Sequence, residues 1–191
     1  MTSELVVKGM KTAVFGATGR TDLPLVERAL DRDHEVVAHT RSLELLPGRD
    51  RLSVVEGDVY TGSGVAGAVS GVDAVVSLLG QGSDSPDDLL TVAGDRILSA
   101  MEEAGVDGLV GAGVRETSET TTIPGRAMGA LLRVVARDLL EDATEHVQRV
   151  KASDLRWTVV RAPRLTAGDP QGAYRVENDD YVRAPQKVGP A

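Results

Sequence analysis

The sequence predicts a doubly wound α/β domain, in which helices cover both faces of a parallel β-sheet. Short apolar runs alternate with segments of helical spacing along most of the chain, which is the pattern of βαβ units. The first apolar run ends in a glycine-rich turn that leads directly into a helical segment. Because crossovers of this length are right-handed, we expect the strand order 3-2-1-4-5-6 in three layers.

Six strands are predicted from apolar or β-branched runs that end at glycine, aspartate or charged residues. They cover residues 11–15, 35–40, 52–56, 74–79, 108–112 and 157–161. A first helix is predicted from the helical spacing of Leu23, Val26 and Leu30. The other helical segments are 62–70, 85–104 and 126–152. Trp157 is expected to pack in or against the core rather than to stack on a ligand.

The length of 191 residues suits one domain, residues 1–191. Its core is expected over about 11–165, and the pattern becomes sparse over 166–191. No apolar run approaches the roughly 20 residues that span a bilayer, and the N-terminus lacks the order of a secretory signal. These observations predict a cytoplasmic protein without a membrane partner.

Composition excludes several function classes. The chain has no cysteine, and none of its three histidines stands four residues from another, so neither a thiolate nucleophile nor a metal site is expected. The net charge is −8, with 29 acidic against 21 basic residues. An acidic surface is unsuited to phosphate backbones, so nucleic acid is not an expected partner. The expected partner is a small molecule.

The turn after the first strand has the sequence of a phosphate-binding loop. Backbone amides and the helix dipole at a strand-to-helix turn hold a pyrophosphate, provided that side-chain bulk is small. Gly16 and Gly19 supply the turn, and Thr18 and Thr21 offer hydroxyl groups, with Arg20 between them. Its position between a strand and a helix supports a dinucleotide site of the Rossmann type.

The third position of the glycine spacing departs from the pattern. It is occupied by Asp22, where a glycine would allow close packing of the helix on the strand. An aspartate suits the first turn of a helix, but its charge lies near the expected pyrophosphate. A blocked cofactor site therefore remains an alternative.

The end of the second strand favours NADP(H) over NAD(H). In this position an acidic residue would bind the ribose of NAD, whereas this chain has His39-Thr40-Arg41-Ser42. The guanidinium of Arg41 suits a 2′-phosphate, and Arg20 could add a second positive contact. Asp58, after the third strand, could accept a hydrogen bond from the adenine amino group or could simply be a turn residue.

Together these motifs resemble the atypical short-chain dehydrogenase/reductases. The similarity is greatest to NAD(P)H-binding proteins related to biliverdin reductase B (flavin reductase) and to the NmrA-like sensors. It covers about residues 11–176 and includes Gly57-Asp58-Val59, Gly71-Val72-Asp73-Ala74-Val75-Val76, Gly105-Val106-Asp107 and Ser153-Asp154-Leu155-Arg156-Trp157. The resemblance implies a pyrophosphate site at residues 16 and 18–21 and a 2′-phosphate site at Arg41. It further implies that adenine meets Asp58 and Val59, that Leu79 and Gly80 line the nicotinamide-side ribose, and that Pro163 lies near the nicotinamide.

The acceptor side departs from the family. The fifth strand ends in Gly111-Ala112-Gly113-Val114, where relatives usually carry a serine or threonine, and Val147 stands where the most similar relatives carry a histidine. None of the three tyrosines has a lysine four residues later, so the tyrosine–lysine proton relay is excluded. His146 is the one candidate proton donor, although a charged helix predicts a solvated surface position for it.

Two functions fit these observations. One is an NADPH-dependent reductase of a flavin, quinone or similar flat acceptor, because such acceptors need little acid catalysis from the protein. The other is a regulatory protein that binds NADP(H) without turnover. The intact phosphate loop favours the reductase, and the departures on the acceptor side favour the sensor.

Overall fold

The computed structural model describes residues 9–18, 22–43, 46, 48–82, 84–112 and 140–161. These form six strands, which are β1 (Lys11–Phe15), β2 (Glu35–Thr40), β3 (Leu52–Glu56), β4 (Ala74–Ser77), β5 (Gly108–Ala112) and β6 (Arg156–Val160). The helices are α1 (Asp22–Asp31), α2 (Val65–Val69) and α3 (Leu89–Ala104), with a further helix, α4, described over residues 140–152. The rest of the predicted helical region 126–152 lies outside the described residues.

All six strands are parallel and lie in the order β3-β2-β1-β4-β5-β6. The predicted fold class and strand order are thereby confirmed. Alternate residues of β1 face opposite sides, since Ala13 and Phe15 pack with α2, α3 and α4, whereas Val14 packs with α1. Helices therefore cover both faces of the sheet, as the continuous apolar strands required.

The ends of four predicted elements shift, and one of them is β6, which lies one residue earlier than predicted, at Arg156–Val160. α3 begins at Leu89 instead of residue 85, because the residues before it form turns in which Ser85 N–H donates to Gly82 and Leu89 N–H to Pro86. α2 is limited to Val65–Val69, since Gly62 and Gly64 have φ angles of 86° and 76°, outside the helical range. β4 ends at Ser77, two residues earlier than predicted.

The prediction for Trp157 is wrong. Its side chain is 37% exposed. Within the described part of the chain, β6 is an edge strand that pairs with β5 alone. Four of the five residues of β6 are exposed.

No helix in the described ranges has both the length and the apolar character that crossing a bilayer requires.

Candidate nucleotide-binding site

The crevice between β1 and β4 is the natural ligand position in this sheet. The helix that follows β1 packs on one face, and the helices that follow β3 and β4 pack on the other. Because the chain leaves these two neighbouring strands toward opposite faces, a crevice opens beyond their carboxyl ends. Leu78 N–H donates to the carbonyl of Phe15 at 3.0 Å, which joins the two strands where the crevice begins.

The structure describes the first part of the loop after β1, residues 16–18. Gly16 has a φ of 90°, a left-handed conformation that favours glycine. Ala17 is fully buried and Thr18 is partly buried, so this part of the loop lies close against the sheet. Asp22 is the first residue of α1, and the residues between, Gly19, Arg20 and Thr21, lie outside the described part of the chain.

The loop after β2 presents Arg41 to solvent. Thr40 is 5% exposed, and its Oγ1 accepts a hydrogen bond from Ser42 N–H at 3.1 Å. This local turn fixes the backbone on both sides of Arg41, whose side chain is exposed. Among the described ion pairs none includes Arg41. The position therefore leaves a guanidinium available to an anion at the end of β2.

His39, which sequence reasoning did not assign to the site, supports the loop after β3. It is 4% exposed, its ring lies 5.0 Å from that of Phe15, and its Nε2 lies 2.8 Å from the carbonyl oxygen of Ser63. A carbonyl oxygen can only accept a hydrogen bond, so Nε2 of His39 is the donor and carries the proton. A Cβ at Gly57 would collide with the same Ser63 carbonyl and with His39, so this close approach requires glycine.

Asp58 forms a local turn and remains at the edge of the crevice. Its Oδ1 accepts a hydrogen bond from Tyr60 N–H at 2.8 Å, and its carbonyl accepts one from Thr61 Oγ1 at 3.0 Å. The side chain is partly buried. The next residue, Val59, is 7% exposed and packs in the core. Asp58 therefore fills the turn role that its sequence allowed, and its part in adenine binding stays a prediction.

The segment after β4 lines the other side of the crevice. Leu79 is partly buried against the core, whereas Gly80 is exposed, and a Cβ built at Gly80 would meet no atom of the described residues within 4 Å. As far as these residues are concerned, the space beside Gly80 is open to a ligand that approaches the carboxyl ends of β1 and β4. Pro163 lies outside the described residues.

Asp142 on α4 caps the N-terminus of α3 from a distant part of the sequence. It is 6% exposed, and its carboxylate accepts hydrogen bonds from Leu90 N–H at 2.8 Å and Thr91 N–H at 2.9 Å. These are the second and third residues of α3, whose amides an N-cap side chain would normally satisfy. The residue in the N-cap position, Asp88, makes no such bond. Sequence reasoning missed Asp142, since a helix partner 51 residues away leaves no local pattern.

The structure contradicts the expected solvated position of His146. Its side chain is only partly exposed and packs directly against Gly94 of α3, where a Cβ would collide with Nδ1. That nitrogen is buried and has no hydrogen-bond partner among the described residues. Burial lowers the pKa of His146 from its ordinary 6.5, although Asp142 and Asp95 oppose the shift. The residue faces inward because it shares one side of α4 with Asp142 and Val150.

A small apolar cavity lies beside His146, between α3, α4 and the sheet. Its volume is about 10 Å³, which is the space of about one water molecule. Ser77 and Ala112, at the carboxyl ends of β4 and β5, contribute to its lining. Val147 is 5% exposed and also lines this cavity. The cavity is too small to hold a substrate molecule.

The described residues fit a dinucleotide. The turn at Gly16 leads into a helix N-terminus that favours an anion, the exposed Arg41 stands at the end of β2, and open space lies beside Gly80. These features follow three different strands and meet at one edge of the sheet. Fold and site together define a nucleotide-binding protein of the doubly wound α/β class.

Comparison with known proteins identifies the family to which the chain belongs. The profile of the NAD(P)H-binding family matches residues 16–188, and the chain belongs to this family. A 3-beta-hydroxysteroid dehydrogenase from Mycolicibacterium neoaurum is 36% identical over 76 residues. That alignment spans 37% of this chain and 21% of the relative.

Solved structures of low sequence identity share the fold. ChuY, an anaerobillin reductase from Escherichia coli O157:H7, superposes with a TM-score of 0.71 at 19% identity, over 94% of this chain and 84% of ChuY. A wide-type short-chain dehydrogenase/reductase from Veillonella parvula, solved in complex with NADP, gives a TM-score of 0.66 at 16% identity, over 85% and 72% of the two chains. Family and fold together identify an NAD(P)H-binding protein with a doubly wound, Rossmann-like α/β fold.

Proposed function

We propose that this protein is an NADPH-dependent reductase of a flavin, quinone or similar flat acceptor. The observation that carries the preference for NADPH is the exposed Arg41 at the end of β2. A bidentate guanidinium suits a phosphate monoester, whereas the ribose hydroxyls of NADH would call for an acceptor in this position.

The choice of acceptor follows from the proton chemistry that the chain offers. The sequence has no tyrosine with a lysine four residues later. A hydrogen bond to Asp88 raises the pKa of Tyr60 from its ordinary 10.0, the opposite of what a tyrosine proton relay requires. When bound, NADPH supplies a hydride, and we propose that the acceptor takes its proton from solvent because His146 faces the helix interface. Flavins and quinones tolerate this arrangement.

The nucleotide half of the proposal is tested by titration with NADPH and NADH, followed by nicotinamide fluorescence. Replacing Arg41 with glutamine should raise the dissociation constant for NADPH by about ten- to a hundredfold, the range expected for one lost charge-assisted contact. The dissociation constant for NADH should not change. Arg32→Gln is the matched control, because it removes the same charge at the opposite end of the sheet, after α1.

An equal effect of Arg41→Gln on both cofactors would refute the 2′-phosphate assignment. The catalytic half is tested by following NADPH oxidation with FMN, FAD and quinones under anaerobic conditions. Turnover with at least one acceptor is expected. Tight NADPH binding without any turnover would instead favour the sensing function.

A further inference from the structure

Gln81 joins the segment beside Gly80 to two other parts of the molecule. Its Nε2 donates to the Asp142 carboxylate on α4 at 2.7 Å and to the carbonyl of Asp87 at 2.7 Å. The first bond crosses 61 residues of sequence, and the second closes the loop between β4 and α3. Both acceptors suit an amide N–H₂ group, which fixes the orientation of the side chain.

Asp142 is a rigid anchor for this amide. Its two carboxylate oxygens accept three hydrogen bonds, from Leu90 N–H, Thr91 N–H and Gln81 Nε2. Its own carbonyl also accepts one from Thr91 Oγ1 at 3.2 Å. A buried carboxylate whose donors come from a helix N-terminus has little freedom to move, because any displacement would leave buried amides unpaired.

The two residues expected to meet the nicotinamide-side ribose therefore lie between two fixed points. On one side, Leu78 N–H is bound to Phe15 of β1, and on the other side Gln81 is bound to Asp142. We propose that Gln81 and Asp142 are positioning residues, which hold Leu79 and Gly80 in place for the nicotinamide half of the cofactor. This inference rests on the proposed function, since it assumes that NADPH occupies the crevice.

The experiment compares two ligands that differ in their nicotinamide half. NADPH spans the whole crevice, whereas adenosine 2′,5′-bisphosphate has the adenine, the 2′-phosphate and one 5′-phosphate alone. In Gln81→Met, which keeps the side-chain length but removes both donors, the dissociation constant for NADPH should rise about tenfold. The dissociation constant for adenosine 2′,5′-bisphosphate should stay within about twofold of its value for the unaltered chain, because the contacts of this ligand lie on the other side of the crevice.

Asp95→Asn is the matched control. Asp95 pairs with Arg149 across the same two helices, α3 and α4, the two side chains are 45% and 43% exposed, and the described hydrogen bonds link neither of them to the loop after β4. This variant should bind both ligands as the unaltered chain does. Amide hydrogen exchange provides a readout without ligand, since the amides of residues 79–81 should exchange faster in Gln81→Met and unchanged in Asp95→Asn.

Asp142→Leu gives a second route to the same result, because it keeps the size of the side chain and removes the acceptor of the Gln81 amide. It should weaken NADPH binding at least as much as Gln81→Met does. Equal weakening of both ligands, or unchanged NADPH affinity in Gln81→Met, would overturn the positioning role. If the unaltered chain binds neither ligand, the proposed function fails, and the positioning role fails with it.

Discussion

In the half of the sheet formed by β1, β2 and β3, the loops at the carboxyl ends are held by two-residue turns and by contacts that span 24 to 36 residues, from His39 to Ser63 and from Arg96 to Tyr60. Thr40 bonds to Ser42 two residues away, and Asp58 bonds to Tyr60 two residues away. In the half formed by β4, β5 and β6, the corresponding loop is held across 61 residues by a buried carboxylate. The expected adenine side is therefore held by contacts of shorter range, whereas the expected nicotinamide side depends on the packing of α4 on α3.

This difference has an energetic consequence. The described ion pairs on the β1–β3 side, Arg49–Asp31 and Arg51–Asp33, are well exposed and contribute little to stability. The polar contacts of Asp142 are buried, so each of their donors depends on this one carboxylate. Substitutions should therefore affect the two halves very unequally.

The largest effect is expected from Asp142→Ala. Removing the carboxylate leaves the amides of Leu90 and Thr91 without their acceptor, and should lower the free energy of unfolding by about 3 kcal/mol. Asp88→Ala, at the exposed N-cap of the same helix, should cost less than about 0.5 kcal/mol. Urea unfolding measures both. Similar losses in the two variants would mean that α3 is not capped by α4.

The next largest effect on stability is expected from Gly94→Ala. A methyl group at this buried position would collide with the His146 ring, so we expect a loss of about 2 kcal/mol. Gly67→Ala on α2 is the control, because its Cβ would meet its nearest neighbour only at 4.0 Å and alanine favours the helix. Gly67→Ala should raise the free energy of unfolding slightly. The double variant Gly94→Ala/His146→Ala should recover part of the loss, and additive effects would refute the contact.

A smaller effect is expected from pH. Because burial lowers the pKa of His146, the folded state prefers the neutral ring, and the unfolded state binds a proton more readily. Above the ordinary pKa of 6.5 both states are neutral and this group contributes no pH dependence. As the pH falls below that value, stability should decrease until the folded pKa is passed. His146→Gln should remove this component from the stability profile measured between neutral and mildly acidic pH.

The smallest effect belongs to the exposed ion pair on the β1–β3 side. Arg49→Gln breaks the 2.8 Å contact with Asp31, whose side chain is 62% exposed, and should cost about 0.5 kcal/mol or less. Added salt should reduce the difference from the unaltered chain further, because exposed charges are screened. A loss as large as that of Asp142→Ala would remove the contrast between the two halves.

The strands were predictable because each is a short apolar run with glycine or a charge at its end. Phe15, Thr40 and Glu56 end β1, β2 and β3 where the sequence predicts. The start of α3 was not predictable in the same way. Residues 85–88 contain plausible cap residues, but the amides of Leu90 and Thr91 are satisfied by α4 instead. Local propensity cannot include a partner that only packing brings near.

The candidate site likewise has parts that the sequence predicts and parts that it does not predict. Six of the candidate site residues follow the ends of strands, so the strand order alone implied that they would surround one crevice. They are Gly16, Thr18, Arg41, Asp58, Leu79 and Gly80. The burial of His146 was not implied, because the surrounding charges of α4 predict a solvated face. His146 can face inward because Gly94, which has no side chain, leaves room for the imidazole ring against the backbone of α3.

The sequence by itself determined the fold class, the strand order and the ends of β1, β2 and β3, because these follow from hydrophobic periodicity and from the handedness of crossovers. Only the tertiary structure decided how the loop after β4 is held, which face His146 takes and where α3 begins. The loop and the start of α3 depend on Asp142 and Gln81, whose contacts form between residues 51 to 61 positions apart once the helices have packed on the sheet. The position of His146 depends on the room that Gly94 leaves on α3.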